Sequence, residues 1–266
     1  MQTAWDTKKV AHTLKMRLLS VKEKQALGPD MYRITLTGTD LHEFYSPGFD
    51  DHVKLVFPEP GQKVPVLPQL GESGMVFPAG QPKPILRDYT PRAYRESEQE
   101  LDIDFVLHGS GPACEWAQQA KVGDKLGVAG PRGSMLVAQD FDWHVLIGDE
   151  AAVPAMARRI EELQGQTAIQ VFVYARSLLT AGLVNAPDEV PVHWVPTFAG
   201  MDGLLASVSA APVLSGRGFV WIAAESSMAK SMREYWVQER QHDKRLIRAS
   251  SYWRQGEIAV HEQHND

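Results

Sequence analysis

The chain has 266 residues, 44% of them hydrophobic, enough for one large core or two ordinary ones. A net charge of −6 with no long basic run argues against nucleic acid as the main partner. Cys114 is the only cysteine, which excludes an intrachain disulfide and any metal or iron–sulfur site built from several thiolates of one chain. The first turns of the chain carry charges throughout, so no signal peptide is expected, and no apolar run approaches the ~20 residues that span a bilayer. The expectation is a cytoplasmic monomer.

Residues 1–12 are mixed and polar and read as a frayed lead-in. Residues 14–21 and 31–37 read as strands with Gly28-Pro29-Asp30 as the turn between them. A third strand at 52–57 is stopped by Pro58, and 87–94, 101–107 and 125–129 supply three more. A short helix over 114–120, entered after Pro112, separates the last two. Strands with few long helices between them predict a six-stranded antiparallel barrel. Between the third and fourth strands, Pro60, Pro65, Pro68, Pro78, Pro82 and Pro84 forbid a regular helix. A loop this long inside a compact domain is expected to cover a binding site.

The pattern changes near Asp140. Short apolar strands at 143–147, 168–174, 192–195 and 218–223 alternate with helices at 154–163 and 227–239. This predicts a parallel sheet covered by helices. The fold class is β followed by α/β: a barrel domain over residues 13–140 and an α/β domain over residues 141–266.

The densest chemistry lies in Arg87-Asp88-Tyr89-Thr90-Pro91-Arg92. An extended segment puts Arg87, Tyr89 and Pro91 on one face and Asp88, Thr90 and Arg92 on the other. Arg offers a planar fork for a phosphate, Tyr a flat face for a ring, and Thr a hydroxyl for a ring nitrogen. A flavin with a pyrophosphate tail needs those groups; an edge strand with solvated arginines would contain them as well. Further on, His108-Gly109-Ser110-Gly111-Pro112-Ala113 and Gly130-Pro131-Arg132-Gly133-Ser134 each follow an apolar run. Gly148-Asp149-Glu150-Ala151-Ala152-Val153-Pro154-Ala155 and Tyr252-Trp253-Arg254-Gln255-Gly256-Glu257 come later.

In order and spacing these five motifs resemble the siderophore-interacting protein family, a branch of the ferredoxin reductase-like flavoproteins, from about residue 13 to residue 257. The resemblance implies an FAD-dependent reductase of ferric siderophores. It implies that Arg87 holds the phosphates, that Tyr89 stacks on the isoalloxazine and that Thr90 bonds near its N5 edge. Arg92 is either a further contact or a structural ion-pair partner. His108, Gly111 and Ala113 would approach the tail, with Asp104 and Leu107 at the ribityl or ribose hydroxyls and Ser134 as a hydroxyl contact. Trp116 reads as core, and Cys114 as a small buried residue.

Asp149 and Glu150 stand where a nucleotide fold brings a Gly-rich turn to a helix N-terminus. Their carboxylates satisfy that end themselves and repel a pyrophosphate. In the resembling family this turn is acidic, and it implies Asp149 and Ala152 on the cofactor. Arg176-Ser177 follows the second strand of the α/β domain, where an Arg holds a 2′-phosphate; a solvated loop arginine is the other reading. Lys54 and Arg132 are cations that either steer an anionic ferric siderophore or serve as ordinary solvated and turn residues. The resemblance implies NADH, NADPH or reduced ferredoxin as the electron donor. No catalytic acid, nucleophile or bound metal is needed, because the protein positions the ring and tunes it. Two other functions stay open: a reductase of flavin or other small acceptors, and a siderophore-binding protein without redox chemistry.

Overall fold

The computed structural model describes residues 6–71, 74–78, 80, 84–107, 111–163, 165–256 and 262–264. The chain divides into two compact units, Lys8–Leu136 on the one hand and Met1–Thr7 with Val137–Asp266 on the other.

The elements up to this division are β1 (Thr7–Ala11), β2 (Met16–Gly28), β3 (Met31–Thr37), β4 (Val53–Phe57), β5 (Gln69–Gly71), β6 (Gly74–Val76), β7 (Ile85–Tyr89), β8 (Pro91–Arg95), β9 (Glu100–Val106), α1 (Pro112–Gln119), β10 (Lys125–Ala129) and β11 (Gly133–Val137). Seven strands form one antiparallel sheet in the order β7-β4-β10-β2-β3-β9-β8. Its two edge strands, β7 and β8, are joined by the single residue Thr90, so the sheet curls until its edges meet.

Six strands were expected and seven are found, because the fourth predicted strand is two. Pro91 has no N–H to continue a ladder. Just beyond it, Pro91 pairs with Ile103 and Ala93 with Asp102, which leaves Arg92 as the extra residue of a bulge. The expected alternation of faces therefore stops before Arg92. The described part of the lead-in is also ordered, since β1 pairs with β11 and the His12 N–H donates to the Arg132 carbonyl at 2.9 Å. The proline-rich loop contains a small hairpin, with Gln69 opposite Val76.

Inside the curl, Leu19, Val21, Ile34, Leu36, Leu55, Phe57, Leu101, Ile103 and Phe105 form a continuous core. The opposite face of β9 carries Glu100, Asp102 and Asp104, all buried. Burial of three acids requires partners. Arg95 bonds both Glu100 and Asp102, Lys22 reaches Glu100, and Thr35 donates to Asp102 at 2.8 Å. Bonds from Lys22 and Arg95 hold Glu100 below the usual carboxylate range. Burial pushes Asp102 up, but the bonds from Arg95 and Thr35 outweigh it. A depressed carboxylate favours the fold above its unfolded pKa and loses that contribution as pH falls through the folded value.

The second unit holds β12 (Trp143–Asp149), α2 (Val153–Leu163), β13 (Ala168–Ala175), α3 (Leu178–Gly182), β14 (Val192–Pro196), α4 (Gly200–Ala210), β15 (Gly218–Glu225), α5 (Ser226–Gln238), β16 (Ile247–Trp253) and β17 (Glu262–His264). The sheet order is β14-β13-β12-β15-β16-β17, parallel except for the last pair. The four expected parallel strands are joined by a fifth, β16, and an antiparallel edge. β16 escapes a hydrophobicity reading because Ala249, Ser250 and Ser251 fill its buried centre instead of large apolar residues. Gly148 is required by packing: a Cβ there would lie 2.5 Å from both the Ala152 Cβ and the Ala223 oxygen.

His144, on β12, is fully buried between Phe141 and Phe219, and neither ring nitrogen has a hydrogen-bond partner among the described residues. Burial, and then the charge of Arg159, hold its pKa down to about 3. Such a group stabilises the fold above its unfolded pKa, near 6.5, and the contribution drains away from there down to the folded value. Acidification from about pH 7 to about pH 5 is therefore expected to cost the second unit about 2 kcal/mol, before the Glu100–Asp102 cluster begins to fail. Urea midpoints across that range check this; in His144→Leu protein the slope should flatten, and an unchanged slope would refute the assignment.

Candidate functional site

In the first unit the motif residues surround the break between β7 and β8. Ile85, Arg87 and Tyr89 oppose Phe57, Leu55 and Val53 of β4, all core residues, so Arg87 shares the inward face with Tyr89. Arg87 is half-buried at this rim and donates to the Leu86 carbonyl at 2.7 Å. The Tyr89 ring lies 4.6 Å from that of Phe105. Burial, chiefly, pushes its phenol well above the ordinary value, so it stays an O–H donor at neutral pH. Thr90 is buried at the break, and Arg92, at the bulge, is half-buried. Gly111 caps α1, and a Cβ there would meet nothing within 4 Å. Ala113 points into the core, so its small size serves the packing of α1. Leu107 packs on the same core, and its N–H donates to the Asp30 carbonyl at 2.8 Å. His108 lies outside the described residues. Trp116 is core, between Phe57 and Phe105, and Cys114 is a buried thiol that donates to the Val106 carbonyl.

Three expected contacts are occupied from within. Both Asp104 oxygens are clasped by Arg33, at 2.7 and 2.8 Å, and the carboxylate is 2% exposed, so it cannot serve a ribose. The buried Ser134 hydroxyl donates to Asp51 at 2.7 Å and meets His12 Nε2 at 2.7 Å, which leaves it no proton for a phosphate. Lys54 faces Asp88 across β4 and β7 and is paired with it at 2.7 Å, though the side chain keeps 43% of its exposure. Arg132 is exposed.

Arg17 was missed by the sequence reading. It is buried on the core-side parity of β2, with Leu19 and Val21. It donates to the carbonyls of Asp40 and Gly130 at 2.9 and 2.8 Å, fixing the turn that carries Arg132. An arginine in a core-face position was the available signal. His12 and Asp51 gave no comparable one, because their contact depends on segments far apart in the chain.

In the first unit, then, two partly exposed guanidiniums, a half-buried phenol and an uncrowded glycine at a helix start lie on or beside one curled sheet. That donor set suits an aromatic ring joined to a pyrophosphate.

In the second unit the carboxyl ends of the parallel strands, where such sheets take ligands, are filled by acids. Asp149 accepts from the N–H of Ala151 at 2.9 Å, from the N–H of Glu225 at 2.8 Å and from Trp253 Nε1 at 2.8 Å. It ties the ends of β12, β15 and β16 together, and that work replaces the expected cofactor contact. Ala152 is fully buried beneath Gly148, so its side chain meets no cofactor. Glu225 accepts from Ser227 N–H at 2.6 Å and caps α5. Glu150 binds Arg176, and the Ser177 hydroxyl accepts from the Leu179 N–H at 3.2 Å. Asp149 and Glu225 cap helix starts whose N–H groups would otherwise face a pyrophosphate, and Glu150 is engaged by Arg176.

The family profiles divide the chain in the same way. Residues 20–135 match the siderophore-interacting FAD-binding domain, and residues 141–256 match the siderophore-interacting protein profile. The NADPH-dependent ferric-chelate reductase of Escherichia coli strain K12 is 36% identical over 249 residues, covering 92% of this chain and 95% of that protein. The ferric vibriobactin reductase of Vibrio cholerae is 32% identical over 255 residues, 93% of each. The crystal structure of a siderophore utilization protein from T. fusca superposes with a TM-score of 0.87 at 34% identity, covering 96% of this chain and 98% of the other. Among the described residues no helix is long and apolar enough to cross a membrane, and no group of three or more His, Cys, Asp or Glu could hold a metal ion.

Proposed function

The chain belongs to the siderophore-interacting protein family, and on that premise we propose that it is an FAD-dependent oxidoreductase that reduces the iron of a ferric siderophore. The observation that carries this reading is the meeting of Arg87, Tyr89, Thr90 and Arg92 at the break of the curled sheet, inside the matched FAD-binding segment. FAD held by these residues would supply the exchange between the electron pairs of NAD(P)H and the single electrons that Fe(III) of the siderophore takes. Fe(II) is held less firmly by hard oxygen ligands and leaves.

The residues of this chain bind and orient. Arg87 neutralises a tail phosphate through its fork, Tyr89 lends its ring and Thr90 its hydroxyl at the ring edge. Arg92, re-aimed by the bulge, is a second cation for the tail. Leu107 and Gly111 flank the approach to α1, and His108 is a proposed tail contact on its sequence motif alone. Asp104 and Ser134 hold the sheet and turn of the first unit in place, while Asp149 and Ala152 brace the strand ends and the helix start of the second. Lys54 and Arg132 draw in an anionic ferric complex by charge, with Asp88 holding the Lys54 ammonium in place. The FAD-binding part corresponds to residues 13–140 and the donor-binding part to 141–266. Reduced ferredoxin is the alternative donor, a reading supported by the acids at the carboxyl ends of the parallel strands. The setting is a monomer in the cytoplasm, consistent with a chain that has one cysteine.

Purified protein is expected to be yellow and to hold about one FAD per chain, a stoichiometry read from flavin absorbance after denaturation. A folded, colourless protein that refuses added FAD would remove the reading and favour a non-redox siderophore binder.

A further inference from the structure

β12 and β13 end side by side, with Asp149 opposite Tyr174. One residue past β12, Glu150 turns back onto Arg176, the first residue past β13. One carboxylate oxygen accepts from the Arg176 backbone N–H at 2.9 Å, and the other lies 3.1 Å from its Nε. The carboxylate is 10% exposed and the guanidinium 39%, so the acid sits beneath and the base faces solvent. In doubly wound sheets the residue after the second strand meets the adenosine ribose. A carboxylate there accepts from a 2′-hydroxyl, and an arginine takes a 2′-phosphate. Here both kinds stand at one place and bind each other.

The neighbouring strand adds a flat face. Ala175 pairs with Pro196, the last residue of β14, and two residues on Phe198 is 89% exposed. The Tyr174 hydroxyl donates to the Thr197 carbonyl at 2.8 Å and pins that turn over the end of β13. An exposed aromatic ring takes an adenine with or without a phosphate on the ribose.

Resting on the nicotinamide reading above, we infer that Glu150 tempers Arg176, so that this adenosine site accepts coenzymes with and without a 2′-phosphate almost equally. A phosphate approaching Arg176 meets a charge already countered by a carboxylate in a partly dry setting, where the pair interaction is strong. Arg176 still donates hydrogen bonds, but its net preference for the extra charge is largely cancelled. Glu150 is thus a positioning residue that sets coenzyme selectivity through its neighbour, and Phe198 serves both coenzymes alike.

Calorimetric titration of the FAD-loaded protein with 2′,5′-ADP and with 5′-AMP tests this. The two are expected to bind the wild type within about threefold of each other. Glu150→Gln keeps an acceptor for the Arg176 N–H and removes the charge. It should tighten 2′,5′-ADP about tenfold and leave 5′-AMP unchanged, the size of one charge-assisted bond gained. Phe198→Ala should weaken both ligands equally. A wild-type preference for 2′,5′-ADP above roughly 30-fold overturns the inference without need of any variant. So does an unchanged ratio in Glu150→Gln, or no binding of either nucleotide. In the last case the flavin absorbance of the same sample shows whether the FAD reading stands, and a donor other than a nicotinamide coenzyme is left.

Discussion

Arg87→Ala protein is expected to purify folded but with little flavin, its FAD affinity lowered roughly 10- to 100-fold. The figure follows from the 1.5–3 kcal/mol, approximately, of a hydrogen bond to a charged group. The fold does not depend on this guanidinium, because among the described residues its only hydrogen bond is to the Leu86 carbonyl beside it. The apolar residues around it, Ile85, Tyr89 and Leu55, stay packed on the same core. Flavin absorbance per chain and a thermal melt should separate cleanly, with the first falling and the second hardly moving. Arg87→Lys should recover only part of the flavin, since an ammonium lacks the planar fork. Full flavin occupancy in Arg87→Ala would exclude the residue from the cofactor site.

Asp149→Ala is expected to do the reverse, costing stability and sparing the flavin. Its carboxylate takes three donors, from Ala151, Glu225 and Trp253, and so fastens the ends of three strands. Losing it leaves those donors without a charged acceptor in a place where the side chain is nearly closed off from water. The expected loss is about 3–5 kcal/mol, seen as a fall in the urea midpoint of the second unit. The flavin should remain, because the residues proposed to hold it belong to the first unit. An unchanged midpoint, or flavin lost from otherwise stable protein, would return Asp149 to the cofactor site.

The alternation of β9 could be read directly from the chain, since Leu101, Ile103 and Phe105 point one way and Glu100, Asp102 and Asp104 the other. The identity of the partners could not, because Arg33 and Arg95 reach those acids through strand register, which links residues 71 and 7 positions apart. The same holds for Ser134, whose hydroxyl is taken by Asp51 from 83 residues away. β16 was hidden because small residues fill its buried positions, and the split at Thr90 because a bulge is a property of the pair and not of one strand. The motif around Arg87 was legible for the opposite reason. Its residue types are concentrated within six positions and need no distant partner to declare their chemistry.

Ferric reduction itself is tested most directly by mixing photoreduced, FAD-loaded protein with ferric siderophores in the absence of oxygen, following the flavin bands while trapping Fe(II). Flavin reoxidation that yields about two Fe(II) per FAD, as electron balance demands, is the expected result. Flavin that stays reduced beside a bound ferric siderophore would contradict it.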